Sequence, residues 1–179
     1  MTAVTFHPRA LLGLAPPVLS RLATRTAEQM TVRKMGLTVH HVGAGGTLTH
    51  PNQVARLRSI QQYHVGTLGY GDIAYHGAFD ADGITYGLRD GRYVGAHAQS
   101  TGNVANALTD GICFLEDARG VTPAALAAFE WWSDLYRLVV HRAPQLFGHR
   151  WWGAGHGGAP TVCPGDDWAR VIRFCGGHV

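Results

Sequence analysis

The chain has 179 residues, 46% of them hydrophobic and 15% charged, which suits one folded domain with an extension and excludes a disordered chain. The net charge is +3, and the arginines are scattered without a basic run; this excludes a nucleic-acid signature and leaves a mild preference for anionic surfaces. Three cysteines cannot all pair within one chain, so no disulfide framework is expected, whereas eleven histidines point to His-based metal or acid–base chemistry.

Residues 1–36 read as an N-terminal extension, partly helical. Ala10 to Leu19 is apolar, but Pro16-Pro17 interrupts it and no small-residue cleavage site follows, so it reads as mature sequence without a signal peptide. Pro16-Pro17 can open a helix over about Val18 to Met30. No apolar run has the roughly 20 residues of a membrane span, and no membrane insertion is expected.

The domain proper is expected over 37–179. Leu37 to Val42 is a strand that ends in His40-His41 and runs into the Gly-rich loop Gly43-Ala44-Gly45-Gly46. A helix follows over about Pro51 to His64, with Thr49 as its cap and Val54, Leu57, Ile60 and His64 on one face. Asp72 to Phe79 reads as a strand, Asp80 to Gly83 as a hairpin turn, and Ile84 to Leu88 as the returning strand. Arg92 to Gly95 is a short edge and Gln99 to Asn106 a polar loop. Asp110 to Glu116, nearly all apolar at its centre, is a buried strand with Cys113 as a core thiol. Thr122-Pro123 caps a long helix to about His141, with an apolar stripe of Leu126, Phe129, Trp132, Tyr136 and Val139. Gly148 to Gly165 reads as one long Gly-rich loop, and Asp166 to Cys175 as the last helix. Strands with helices between and after them predict an α/β domain, a central mixed β-sheet flanked by helices.

A strand end holds a side chain rigidly, as a metal ligand must be held. His40 at such an end, with His149 and Cys163 from the late loop, would supply two imidazoles and a thiolate. Zinc in hydrolases takes three protein ligands of these kinds and keeps a fourth position for water. Spacing alone does not assemble the set, and His156 in the same loop is a rival for the second position.

The ordered pieces Val39-His40-His41-Val42, Ile60-Gln61-Gln62-Tyr63-His64, Gly69 to His76, Asp82-Gly83-Ile84, Gly95-Ala96-His97-Ala98, Asn103, Gly148-His149-Arg150 and Thr161-Val162-Cys163-Pro164-Gly165 resemble the zinc-dependent N-acetylmuramoyl-L-alanine amidases and peptidoglycan recognition proteins. The resemblance covers about residues 37–175. It implies zinc (Zn2+) as cofactor, held by His40, His149 and Cys163. Tyr75 matches the active-site tyrosine, and Thr161 the position that assists at the substrate carbonyl. His64, His97 and Asn103 would line the substrate groove. The implied partner is bacterial peptidoglycan, cleaved between N-acetylmuramic acid and the L-alanine of the stem peptide; a non-catalytic wall-binding module is the alternative. A monomeric phage endolysin is expected, held in the host cytoplasm until it reaches the wall, with secretion as the other route. Two features depart from the pattern. The stretch between His149 and Cys163 is lengthened, and the Arg-x-x-Trp-Gly opening is missing at the N-terminal end.

Overall fold

The computed structural model describes residues 4–31, 34–42, 50–115, 120–153 and 155–179. Six strands form one sheet: β1 (Thr5–His7), β2 (Gly36–His41), β3 (Gly77–Asp80), β4 (Ile84–Gly87), β5 (Thr109–Leu115) and β6 (Gln145–Gly148). Their order is β1-β4-β3-β5-β2-β6, with β3 and β4 antiparallel and the other pairs parallel. The helices are α1 (Ala27–Met30), α2 (His50–Gly66), α3 (Val104–Leu108), α4 (Pro123–Val140), α5 (His149–Gly153) and α6 (Asp166–Phe174). This is the expected mixed sheet flanked by helices.

Side chains alternate across a strand, so β2 and β5 serve both faces of the sheet. Leu37, Val39, Ile112 and Phe114 pack against α4 and α6, where Phe129, Trp132, Trp168 and Ile172 complete an aromatic core. Cys113 and Leu115 face the opposite side and join Leu57 of α2. Thr122 caps α4 by accepting from the Ala125 N–H, and its hydroxyl donates to the Ala81 carbonyl, tying the helix to the β3–β4 hairpin. In that hairpin Asp80 Oδ1 accepts from the Asp82 and Ile84 N–H groups, and Gly83 takes φ +80°, the left-handed conformation a glycine adopts cheaply. Among the described residues no helix is long and apolar enough to cross a membrane.

Several local expectations need correction. The helix expected over Val18 to Met30 is a 3-10 turn at Leu19–Arg21 and the single α-turn α1, opened by a Thr26–Gln29 capping box. The strand expected from Asp72 begins only at Gly77, because polar side chains take up the backbone before it. Asp72 accepts from the Ile73 N–H, and the Arg89 guanidinium caps the Asp72, Ile73 and Val94 carbonyls. The polar loop at Gln99 to Asn106 contains a 3-10 turn and the start of α3. The loop expected from Gly148 to Gly165 is preceded by β6, which ends at Gly148, and begins with α5, both too short to show periodicity in sequence. On α4, Val139 is exposed instead of completing the buried stripe. The loop Gly43 to Gly46, the cap Thr49 and the strand end Glu116 lie outside the described residues.

The N-terminal segment is built into the sheet: β1 pairs with β4, and Leu12 is fully buried beside Leu57. Arg9 reaches Asp72 at 2.9 Å and also donates to the Leu88 and Ala15 carbonyls. Leu12 is thus the buried anchor of this segment, with Arg9 tying it to Asp72. Farther along, Arg25 (2.6 Å) and Lys34 (2.7 Å) both pair with Asp110 at the start of β5.

Candidate metal centre and substrate groove

Strand register brings the first two histidines together. β6 runs parallel to β2 with Gly148 opposite Val39, so His149, the first residue of α5, emerges beside His40. Their ring centroids are 4.5 Å apart. His40 is 1% exposed and lies beside Cys113, its register partner on β5. Burial, reinforced by the neighbouring histidines, holds the His40 imidazole well below its ordinary pKa; burial and then His41 lower that of His149. Both rings therefore keep a bare nitrogen at neutral pH.

The third group arrives on the loop before α6. The Arg150 N–H donates to the Cys163 carbonyl at 2.8 Å, and the Arg150 guanidinium donates to the Val162 carbonyl at 2.6 Å and to Asp166 at 3.2 Å. This fork draws the loop back onto α5, and the His41 N–H then points at Cys163 Sγ, 3.4 Å away. One ligand atom each from His40, His149 and Cys163 lies within 4.8 Å of the others, and His40 Nδ1 is 3.8 Å from Sγ. A tetrahedral zinc with ordinary bond lengths separates N and S ligands by about 3.5 Å. Two neutral imidazoles and a thiol at these separations fit zinc and leave one position open. His156 lies apart: its Nδ1–H donates to the Trp151 carbonyl at 2.8 Å and its ring packs on Trp151. Of the two rivals, His149 joins His40 and Cys163.

A groove of about 520 Å³ reaches this group at His149 and is lined also by Tyr70, His97, Asn103 and Thr161. Tyr75 stacks obliquely on His40, with ring centroids 5.1 Å apart. Burial and the neighbouring cysteines push its pKa well up, so it stays an O–H donor. Thr161 Oγ1 accepts from the Cys163 N–H at 3.1 Å, which fixes the hydroxyl on the groove wall. Asn103 is held in a left-handed conformation, φ 57°, and accepts from Asn106 through its side chain. His64 accepts the Ala74 N–H on Nδ1 and packs near Tyr70 and Tyr75; burial first, then Arg89, lowers its pKa to about 4. His97 lines the groove but is only 6% exposed, and both its ring nitrogens are taken within the protein.

Sequence reasoning did not single out Arg150, Cys113 or Arg25 for the site. Arg150 follows a proposed ligand directly, and an arginine beside a Gly-rich loop with Asp166 beyond it was the available signal. Cys113 read as packing, which it is, yet it is also the register partner of His40. Nothing in sequence linked Arg25 to Asp110 and the Thr109 carbonyl at the start of β5.

No family model matches the chain. It is 30% identical over 178 residues to mouse peptidoglycan recognition protein 1, covering 92% of each chain. It is 36% identical over 180 residues to human N-acetylmuramoyl-L-alanine amidase, covering 93% of this chain and 27% of the human protein. The crystal structure of Drosophila peptidoglycan recognition protein SD superposes with a TM-score of 0.77 at 20% identity, over 96% of this chain and 94% of that one, a likeness of fold. These similarities define a protein of the peptidoglycan-recognition and amidase class. The chain belongs to the peptidoglycan recognition protein family.

Proposed function

We propose that the protein is a zinc-dependent N-acetylmuramoyl-L-alanine amidase, cleaving the amide between N-acetylmuramic acid and the L-alanine of the stem peptide. The observation that carries this is the meeting of His40, His149 and Cys163, with Tyr75 packed on His40 and His149 on the wall of a groove. Bound there, zinc would supply a Lewis acid for the scissile carbonyl and a water acidic enough to attack near neutral pH. His40 and His149 stay neutral and so hold lone pairs for the metal. Tyr75 keeps its proton and donates to the oxygen that becomes negative at the tetrahedral carbon. Thr161 offers a second hydroxyl at the same wall, without the positive charge that a lysine would add. The strand and the clamped loop hold these groups in place before substrate arrives, which is where such sites gain most of their rate.

The biological role we assign is that of a phage endolysin acting on the host wall as a monomer, with secretion as the alternative route. The similarity to a recognition protein favours a second reading, binding of wall fragments without hydrolysis. Incubation of the protein with purified muropeptides separates the two. Hydrolysis releases free peptide beginning at L-alanine, stops with a chelator and returns with zinc. Muropeptides that bind and stay intact under all three conditions would establish the recognition reading.

A further inference from the structure

We propose that His97 is a positioning residue that fixes the tautomer of His40 and turns its Nδ1 lone pair toward His149 and Cys163. The inference rests on the zinc reading of those three residues for its purpose, while the tautomer itself is a property of the metal-free protein. His97 Nε2 is 3.4 Å from the carbonyl oxygen of Thr109. A carbonyl can only accept, so the proton of this ring sits on Nε2 and its Nδ1 is an acceptor. That Nδ1 is 3.1 Å from His40 Nε2, which must then be the protonated nitrogen of His40. His40 Nδ1 is left bare, and it is the atom 3.8 Å from Cys163 Sγ. One backbone carbonyl thus dictates, through two rings, which nitrogen faces the centre.

The carbonyl is itself held. Arg25, fully buried at its side chain, donates to Thr109 O at 2.6 Å and to Asp110 at 2.6 Å, and Lys34 closes the same carboxylate from the other side. The His97 backbone is pinned too, since its N–H and that of Ala98 both donate to Asn106 Oδ1. The ring has no room to swing: a methyl group at Gly111 would lie 2.4 Å from its Cγ, and one at Gly95 2.5 Å from its Cδ2. Both glycines are needed so that a histidine can pass between the strand and the Gly95 turn. The rings meet edge to face, centroids 5.1 Å apart, which suits an in-plane N–H···N hydrogen bond. Ligating histidines commonly have their second nitrogen fixed in this way, and loss of such a partner weakens metal binding by about 10- to 100-fold.

The test compares the whole protein with His97→Leu and His97→Asn. Asparagine can set its Oδ1 near the position of the lost Nδ1; leucine fills the volume without an acceptor. The metal-free proteins are examined by nitrogen-15 NMR of the histidine rings, with circular dichroism as the fold control, and zinc affinity is then measured by competition with a fluorescent chelator. We expect His40 to be protonated on Nε2 in the wild type and in His97→Asn, and to lose that preference in His97→Leu. Zinc affinity should fall about 10- to 100-fold in His97→Leu and stay within a few-fold of wild type in His97→Asn. A wild-type His40 protonated on Nδ1, or equal zinc affinity in all three proteins, would overturn the inference. So would equal losses in both variants with the fold intact, which would make His97 mere packing. A wild type that binds no zinc but shows the expected tautomer would refute the zinc reading and leave the ring arrangement standing.

Discussion

The two sides of the candidate centre are built by different means. His40 and His149 are placed by strand register: β2 and β6 run parallel, and adjacent strand ends deliver adjacent rings. Cys163 and Thr161 are placed by a loop, drawn in by Arg150 and by short backbone contacts. Register involves many hydrogen bonds and cannot shift by a fraction of a residue, whereas a clamp of a few bonds can be loosened singly. The histidine side should therefore fail only when the sheet fails, and the cysteine side should fail locally. Rigid strands and a tethered loop together hold a geometry that neither would hold alone.

The largest effect expected separates holding the metal from doing chemistry. Tyr75→Phe removes the hydroxyl but none of the three ligands, so turnover on muropeptides should drop by about 10²- to 10³-fold while zinc content stays at the wild-type level. Loss of zinc in that variant would merge two roles that the geometry keeps apart. Next comes the register side. A methyl group at Gly36 would lie 1.8 Å from the Gln145 carbonyl, so Gly36→Ala should wedge β2 from β6 and cost roughly 3 kcal/mol in urea unfolding. Zinc affinity should fall with it, since both rings depend on that pairing.

The loop side should respond more gently and without unfolding. Arg150→Ala leaves the sheet intact but frees the Val162 carbonyl and Asp166, so zinc affinity should fall about tenfold with stability changed by less than about 1 kcal/mol. Arg150→Lys should rescue it only in part, because an ammonium cannot serve both acceptors as the fork does. If Gly36→Ala proved local and Arg150→Ala global, the contrast between the two sides would be reversed.

A response to acid is expected of the whole fold, outside the contrast between the two sides. His64 and His76 have pKa values lowered by burial to about 4 and about 3. In the unfolded chain these rings take up protons below about pH 6.5, while the folded protein resists until near pH 4. The unfolded state then binds more protons, so stability should decline as pH falls from 6.5 through 4 and level off above 7. Asp110, held well below the usual carboxylate range by His76, Lys34 and Arg25, adds a further loss once pH falls below about 4. Denaturant midpoints measured across this range should follow that course, and a flat profile between pH 4 and 7 would show that the buried histidines are not neutral.

Much of the fold was legible because its long elements are periodic. The β2 strand, helix α2, the Asp80–Gly83 hairpin, β5 and α4 with its Thr122 cap lie within a residue or two of the sequence expectation. What was hidden is short or held by side chains from elsewhere. β6 has four residues and no readable alternation, yet it alone explains how His149 meets His40. The stretch before Gly77 looks like strand, but Asp72 and Arg89 satisfy its backbone from positions that sequence does not connect. The candidate ligand set came from motif order, which already favoured His149 over His156; the fold brings His149 near His40 and Cys163 and packs His156 on Trp151. His97 could be named from its motif, but its contact with His40 could not, because only the fold brings together two rings 57 residues apart.

The metal centre is tested most directly by zinc stoichiometry, from native mass spectrometry of the wild type and Cys163→Ala after zinc addition and desalting. One zinc per wild-type chain is expected, and little or none in a folded Cys163→Ala protein. A wild type without zinc, or a variant that keeps its full complement, would contradict a metal centre shared by His40, His149 and Cys163.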